Sequence, residues 1–261
     1  MSAETPSGWL PLARLCTALR FLTLLPISWR AEEDHRLFPE SLPYFIAVGA
    51  LIGLGGAGLA SILQVLLPQT VTAMLMIAML AGISGFLHLD GLADSADGLL
   101  SSRPRETRLA IMKDSRSGAM AIVAVALVVL TKYAALASLA PHLFPSALFL
   151  MALAGRTAIL VMMASLPYAR EEAGIGALFY SGNSRQAAIL GLSVLTLCGG
   201  WLVARQLIAM VLLFGGVVWF FSWWCRAKLG GATGDTLGAV CELAETAVAV
   251  AMTVGCSFHS Q

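Results

Sequence analysis

Three carboxylates, Asp90, Asp94 and Asp97, fall within the stretch FLHLDGLADSADG (86–98), directly after the apolar run VTAMLMIAMLAGISG. On an ideal helix, at 100° per residue, they lie within an arc of roughly 60° and span about 10 Å. They share one face, and without a cation between them they repel. Hard oxygen donors of this kind suit Mg²⁺, which keeps several waters and bridges to substrate phosphates. The structural alternative is an ordinary solvated helix end.

Two further polar blocks carry the means to handle phosphate. In MKDSRSG (112–118), Lys113 supplies a point charge and Arg116 a bidentate fork. Asp114 and Ser115 beside them either cap the following helix or join the site, Asp114 as a further metal oxygen. In GGATGDTLGAVCELAE (230–245), glycines including Gly234 precede Asp235 where a helix should start, an arrangement that lets backbone close on an anion. Glu242 and Glu245 follow seven and ten residues after Asp235, and Asp235 and Glu242 nearly eclipse each other. Carboxylates inside an apolar span are costly unless they meet a cation, a proton or water. Arg156, near the middle of another apolar run, keeps its proton, and Glu242 or Glu245 is its expected partner. Lys132, eight residues from the outer end of its run, is expected to snorkel outward and is given no role. His88 falls on the helix face opposite the aspartates and reads as a packed or interfacial histidine rather than a ligand.

The elements that must position these residues are membrane helices. Of 261 residues, 58% are hydrophobic and only 12% charged, where a soluble domain carries about twice that share of charge. Mean hydropathy is +0.83. Apolar runs of spanning length occur at about 43–67, 71–88, 119–140, 144–166, 186–204, 206–225 and 237–256. The expected fold class is therefore all-α, a polytopic integral membrane protein of about seven transmembrane helices. The N-terminal segment 1–37 reads as an interfacial amphipathic helix rather than a signal peptide, because Arg14 and Arg20 interrupt its apolar stretch. The chain is expected to be one membrane-embedded domain, 1–261, with active-site segments at 86–118 and 226–245.

With the N-terminus in the cytoplasm, thirteen of the sixteen basic residues lie on the cytoplasmic side and only Arg205 on the other. This positive-inside bias places all three polar blocks in or beside the cytoplasm. WFFSWWC (219–225) reads as an interfacial aromatic belt. GLGGAG (53–58) matches a dinucleotide fingerprint in form, but it lies in an apolar run with no strand before it, so its glycines serve close helix contact, within or between subunits. The loop YAREEAGIGALF (168–179) is either a lid or a connector. The five cysteines show neither disulfide nor zinc spacing, and no basic or aromatic run suggests nucleic acid.

HLDGLADSADG, IMKDSRSGAMAI and GGATGDTLGAVCELAE, in this order, resemble the signature blocks of the cobalamin synthase family, the adenosylcobinamide-GDP ribazoletransferases. ALRFLTLLPI near the N-terminus is similar to the family's opening. The sequence departs from the family locally at Ser117-Gly118-Ala119-Met120, where an aromatic or glycine-rich continuation is expected. The resemblance implies a Mg²⁺-dependent phosphotransferase of the inner membrane. It would join adenosylcobinamide-GDP to α-ribazole or its 5′-phosphate and release GMP. Asp90, Asp94 and Asp97 match the first family block. Lys113, Asp114 and Arg116 match the second, and Gly234, Asp235, Glu242 and Glu245 the third. The implied partners are these two substrates and the lipid bilayer; self-association and association with other late enzymes of the pathway stay open. Two alternatives stand beside it: a CDP-alcohol phosphotransferase, whose D-G-x-x-A-R pattern fails at Asp94-Ser95, and a secondary transporter lined by Arg156, Glu242 and Glu245.

Overall fold

A computed structural model describes residues 7–29, 31–114, 116–170 and 183–255. Among these residues the fold is helical, with no strands beyond one isolated bridge between Tyr168 and Ala232. The helices, in chain order, are α1 Leu10–Leu22, α2 Asp34–Ser41, α3 Tyr44–Leu66, α4 Gln69–Ile83, α5 Leu87–Leu100 and α6 Arg105–Ile111, followed by α7 Ala119–Ser138, α8 Phe144–Ser165, α9 Ser184–Leu202, α10 Leu207–Leu229 and α11 Gly234–Thr253. The expected all-α membrane fold is the one found. Six helices are long and apolar enough to cross a bilayer, or seven if the bent pair α4–α5 forms one span.

Prolines and glycines set the ends. Pro68 precedes α4, Pro145 occupies the first turn of α8, and Gly230 closes α10 in the left-handed conformation at φ 76°. The run expected to span 71–88 is corrected. It stops at Ile83, where Gly85 (φ 63°) and Phe86 (φ 62°) turn the chain left-handed, and α5 leaves at 87° to α4. The 15 residues of α4 rise about 22 Å, roughly three quarters of the hydrocarbon thickness, so α4 is shorter than the other spans. Leu87 and His88 therefore begin the next helix instead of ending this one. α5 runs along one face of the bundle, from the start of α11, where Gly91 abuts Asp235, to the start of α7, where Asp97 meets Gly118.

α8 and α11 form the centre: 83% and 78% of their spanning windows are buried, against 28–39% for the other spans. α3 and α9 pack on α8, while α5 and α10 pack on α11. Small residues permit this closeness. A Cβ at Gly49 or Gly53 would sit 3.0 Å and 2.8 Å from the backbone of α8, and one at Gly56 would touch Met79, so these glycines of the GLGGAG region make contacts within the chain. Near the N-terminus, Arg20 and Thr17 of α1 bind Asp34 of α2, and Leu24 donates to the carbonyl of Ile83, tying the amphipathic segment to the α4–α5 turn.

The two ends of the bundle differ sharply. At one end short connections suffice, with the Gln69 amide donating to the carbonyls of Leu136 and Leu139 at the end of α7. The opposite end carries α1, α2, α5, α6 and the polar segments before α7 and α11. Trp219 and Trp223 project from α10 near that end with 70% and 56% of their surface exposed, as an aromatic belt requires.

Candidate active site

α5 presents its three carboxylates on one face while Gly91, Leu92, Ser95, Ala96, Gly98 and Leu99 face inward. Asp90 is exposed, and Asp94 and Asp97 are half-buried. Asp235 joins them from the first turn of α11. That turn is fixed by a capping box in which the Thr236 N–H donates to the Thr233 hydroxyl oxygen and the Thr233 N–H to the Thr236 hydroxyl oxygen. The approach depends on Gly91, whose Cβ would stand 2.6 Å from the Asp235 carbonyl oxygen. A second crossing lies one turn deeper, where Gly238 abuts the backbone of His88 and Leu87.

The negative charges crowd. Asp94, outside the spanning helices, has its carboxyl pushed up to about 6 by desolvation and then by the charges of Asp90, Asp235 and Asp97. Asp97 also caps α7 from another helix: the Gly118 N–H donates to its Oδ2 at 2.5 Å and the Ala121 N–H to its Oδ1 at 3.0 Å. Gly118 is needed there, since a Cβ would lie 2.6 Å from the Asp97 oxygen. Asp235 accepts from Arg170 Nη2 at 2.6 Å. Among the described residues no group of three or more acidic, histidine or cysteine side chains is arranged to hold a metal ion. The donor set nevertheless fits Mg²⁺, which takes one or two carboxylates and keeps its other positions for water and phosphate.

Beside the aspartates a cleft of about 380 Å³ is lined by Arg105, Lys113 and Arg170, with Glu106 at its wall. Arg105 is anchored by donating to the carbonyls of Leu229 (2.7 Å) and Ala169 (2.6 Å), so its charge is held in place. Arg116 lies apart from that cleft's lining: it is 87% exposed by side chain and forks onto Asp114, with Nη2 to Oδ2 at 2.7 Å. This pair holds the Asp114 carboxyl down at about 2. Ser115 and most of the 168–179 loop lie outside the described residues.

The third block divides. Asp235 stands at the rim, whereas Glu242 and Glu245 lie roughly 10 and 15 Å deeper along α11. There Lys132 donates to Glu242 Oε2 at 2.6 Å and to Glu245 Oε2 at 2.7 Å, and Arg156 Nη1 donates to Glu245 Oε1 at 2.8 Å. Arg156 is fully buried, and its Nε and Nη2 find no protein partner. The expectation that Arg156 pairs with one of these glutamates agrees with the geometry. The expectation for Lys132 is corrected: it points inward, 3% exposed, and ties α7 to α11. A signal was present in the sequence, because two glutamates against one arginine leave an unbalanced charge in the bilayer, and Lys132 is the other cation inside a span. Arg170 and Arg105 were also missed; both lie at loop or helix ends whose neighbours only the fold brings near. His88 is buried, as expected, facing the charges of Arg156, Glu245 and Lys132. Gly234 opens α11 with nothing within 4 Å of a would-be Cβ, leaving free space above Asp235.

A bundle with six or seven helices long and apolar enough to cross a bilayer, and with acidic and basic side chains gathered at one rim, defines the class as a polytopic helical membrane protein. The chain matches the family described as cobalamin-5-phosphate synthase over residues 14–253 and belongs to it. It is 39% identical over 243 residues to the adenosylcobinamide-GDP ribazoletransferase of Acetivibrio thermocellus, covering 90% of this chain and 95% of that one. The enzyme of the same name from Roseiflexus sp. is 37% identical over 97% of this chain and 94% of its own, and that of Pseudomonas putida strain GB-1 41% identical over 91% and 97%. No solved structure matches. The protein is thus a transferase of cobalamin biosynthesis.

Proposed function

We propose that this transferase joins adenosylcobinamide-GDP to α-ribazole or its 5′-phosphate at the cytoplasmic face of the inner membrane, with Mg²⁺ held at the rim by one or two carboxylates drawn from Asp90, Asp94, Asp97 and Asp235. The observation that carries this reading is the meeting of α5 and α11 at Gly91, which sets three carboxylates of one helix beside Asp235 and next to the Arg105–Lys113–Arg170 cleft. The names of the relatives support the choice of substrates, and the positive-inside bias supports the choice of face.

In the transfer, a ribose hydroxyl oxygen of the ribazole forms a bond to the phosphorus that carries cobinamide. The bond from that phosphorus to the bridging oxygen of the guanylyl group breaks, and its electron pair leaves with GMP. The hydroxyl proton passes to a rim carboxylate, for which Asp90, the most open of the four, is placed. Bound Mg²⁺ supplies neutralisation of the diphosphate and of the charge that grows on the leaving oxygen. Lys113, Arg105 and Arg170 orient phosphate oxygens, and Arg170 can exchange its bond to Asp235 for one to substrate. Arg116 is available to phosphate only by releasing Asp114. Glu242, Glu245 and Arg156 act in this reading as a charge-balanced strut beneath the site. Their pairing with one another and with Lys132 gives no support to a transport path, which needs charges free to meet a cargo.

The test is product formation by washed membranes containing the chain, given adenosylcobinamide-GDP and α-ribazole 5′-phosphate with Mg²⁺ or chelator. GMP and cobalamin 5′-phosphate formed only with Mg²⁺ are expected. Absence of both from folded protein would overturn the proposal.

A further inference from the structure

Beneath the carboxylates lies a separate cavity of about 250 Å³, bounded by five helices. Its apolar walls are Phe21 of α1, Phe45 of α3, Leu87 of α5, Ile159 and Met163 of α8, and Leu237 of α11. Asp90 and Asp235 line it as well, so it opens onto the acidic rim, and His88 is the other polar side chain among its lining residues. Phe21 and Phe45 stack with ring centroids 5.9 Å apart and planes inclined by 22°.

We propose that this cavity seats the aromatic base of the nucleoside substrate, an inference that rests on the transferase reading above. Size is the first argument. Pockets for drug-sized ligands run to about 300–1,000 Å³, so this one admits a fused bicyclic ring but neither a corrinoid nor a whole guanine nucleotide. Chemistry is the second. Aromatic and aliphatic walls suit an uncharged ring bearing methyl groups, and His88 can meet a single ring nitrogen. Guanine, with donors and acceptors along its edges, would leave most of them unpaired here. Placement is the third: a base seated between Phe45 and Ile159 sets its ribose at Asp90 and Asp235, where the attacking hydroxyl must lie. Gly234, with open space at its Cβ position, leaves room for that sugar.

The test fills the cavity. Ile159→Phe narrows it from α8, and Leu87→Trp narrows it from a wall position that is 46% exposed and so tolerates a larger side chain. Both variants are compared with the parent in steady-state kinetics and, without turnover, in equilibrium binding of α-ribazole followed by its own fluorescence. The expected result is a roughly tenfold or greater weakening for α-ribazole phosphate with KM for adenosylcobinamide-GDP unchanged. A riboside of unmethylated benzimidazole should be partly spared in the filled variants. Unchanged ribazole affinity in both folded variants, or an equal loss for both substrates, would overturn the pocket while leaving the transferase reading intact. Ribazole binding that responds to the variants in a protein with no transferase activity would do the reverse.

Discussion

At the residue scale, the rim carboxylates differ in what else they do. Asp97 holds the first turn of α7, so Asp97→Asn weakens both site and helix. Among the described residues Asp94 makes no such bond, and Asp94→Asn should lower turnover by about 100-fold or more with little change in thermal stability, measured in detergent by product formation and melting. Its carboxyl, raised to about 6, also predicts a pH dependence. The ionised form, which holds the cation, predominates above pH 6 and is lost as pH falls through it. Activity at limiting Mg²⁺ should therefore drop on acidification. Raising Mg²⁺ should move that drop to lower pH, because cation and proton compete for one carboxylate. These acids were legible from spacing alone, since i, i+4 and i+7 on a helix fix a common face whatever the fold. The role of Lys132 was not, because the direction a lysine takes from mid-span depends on which helix lies beside it.

At the element scale, α7, α8 and α11 are tied by two cations and two carboxylates away from water. Glu245→Gln leaves Lys132 and Arg156 with a single carboxylate between them and should destabilise the bundle by about 3–5 kcal/mol. Replacing Lys132 and Glu242 together by apolar residues should cost less than that, and thermal melts in the same detergent compare the two. The α5–α11 contact gives a second test. Gly91→Ala drives a Cβ against the Asp235 carbonyl and should separate the aspartates, reducing activity far more than stability. Gly55→Ala on α3, where nothing lies within 4 Å, should leave both intact. Glycine spacing announced close packing in the sequence, but which partner each glycine faces was decided by the rotation of the helices about one another.

At the scale of the whole molecule, one end of the bundle carries the site and the other is nearly bare of charge. An impermeant thiol reagent should label Lys113→Cys only from the cytoplasmic side of oriented vesicles and Arg205→Cys only from the other; both positions are exposed. Labelling with the two sides exchanged would reverse the orientation on which the cytoplasmic placement depends, and labelling of both from one side would contradict the three spans between them.

The sequence by itself determined the membrane class, the all-helical fold, the approximate spans and the three polar blocks, because hydrophobic length and helical periodicity are local properties of the chain. It also carried the family, through short blocks whose order survives without knowledge of their contacts. Only the tertiary structure decided that α4 stops and α5 turns along the rim, a choice made by two left-handed residues. It likewise divided the third block, sending Asp235 to the rim and Glu242 and Glu245 to the core. A helix rising 1.5 Å per residue into a bilayer gives neighbouring carboxylates different solvents and different partners.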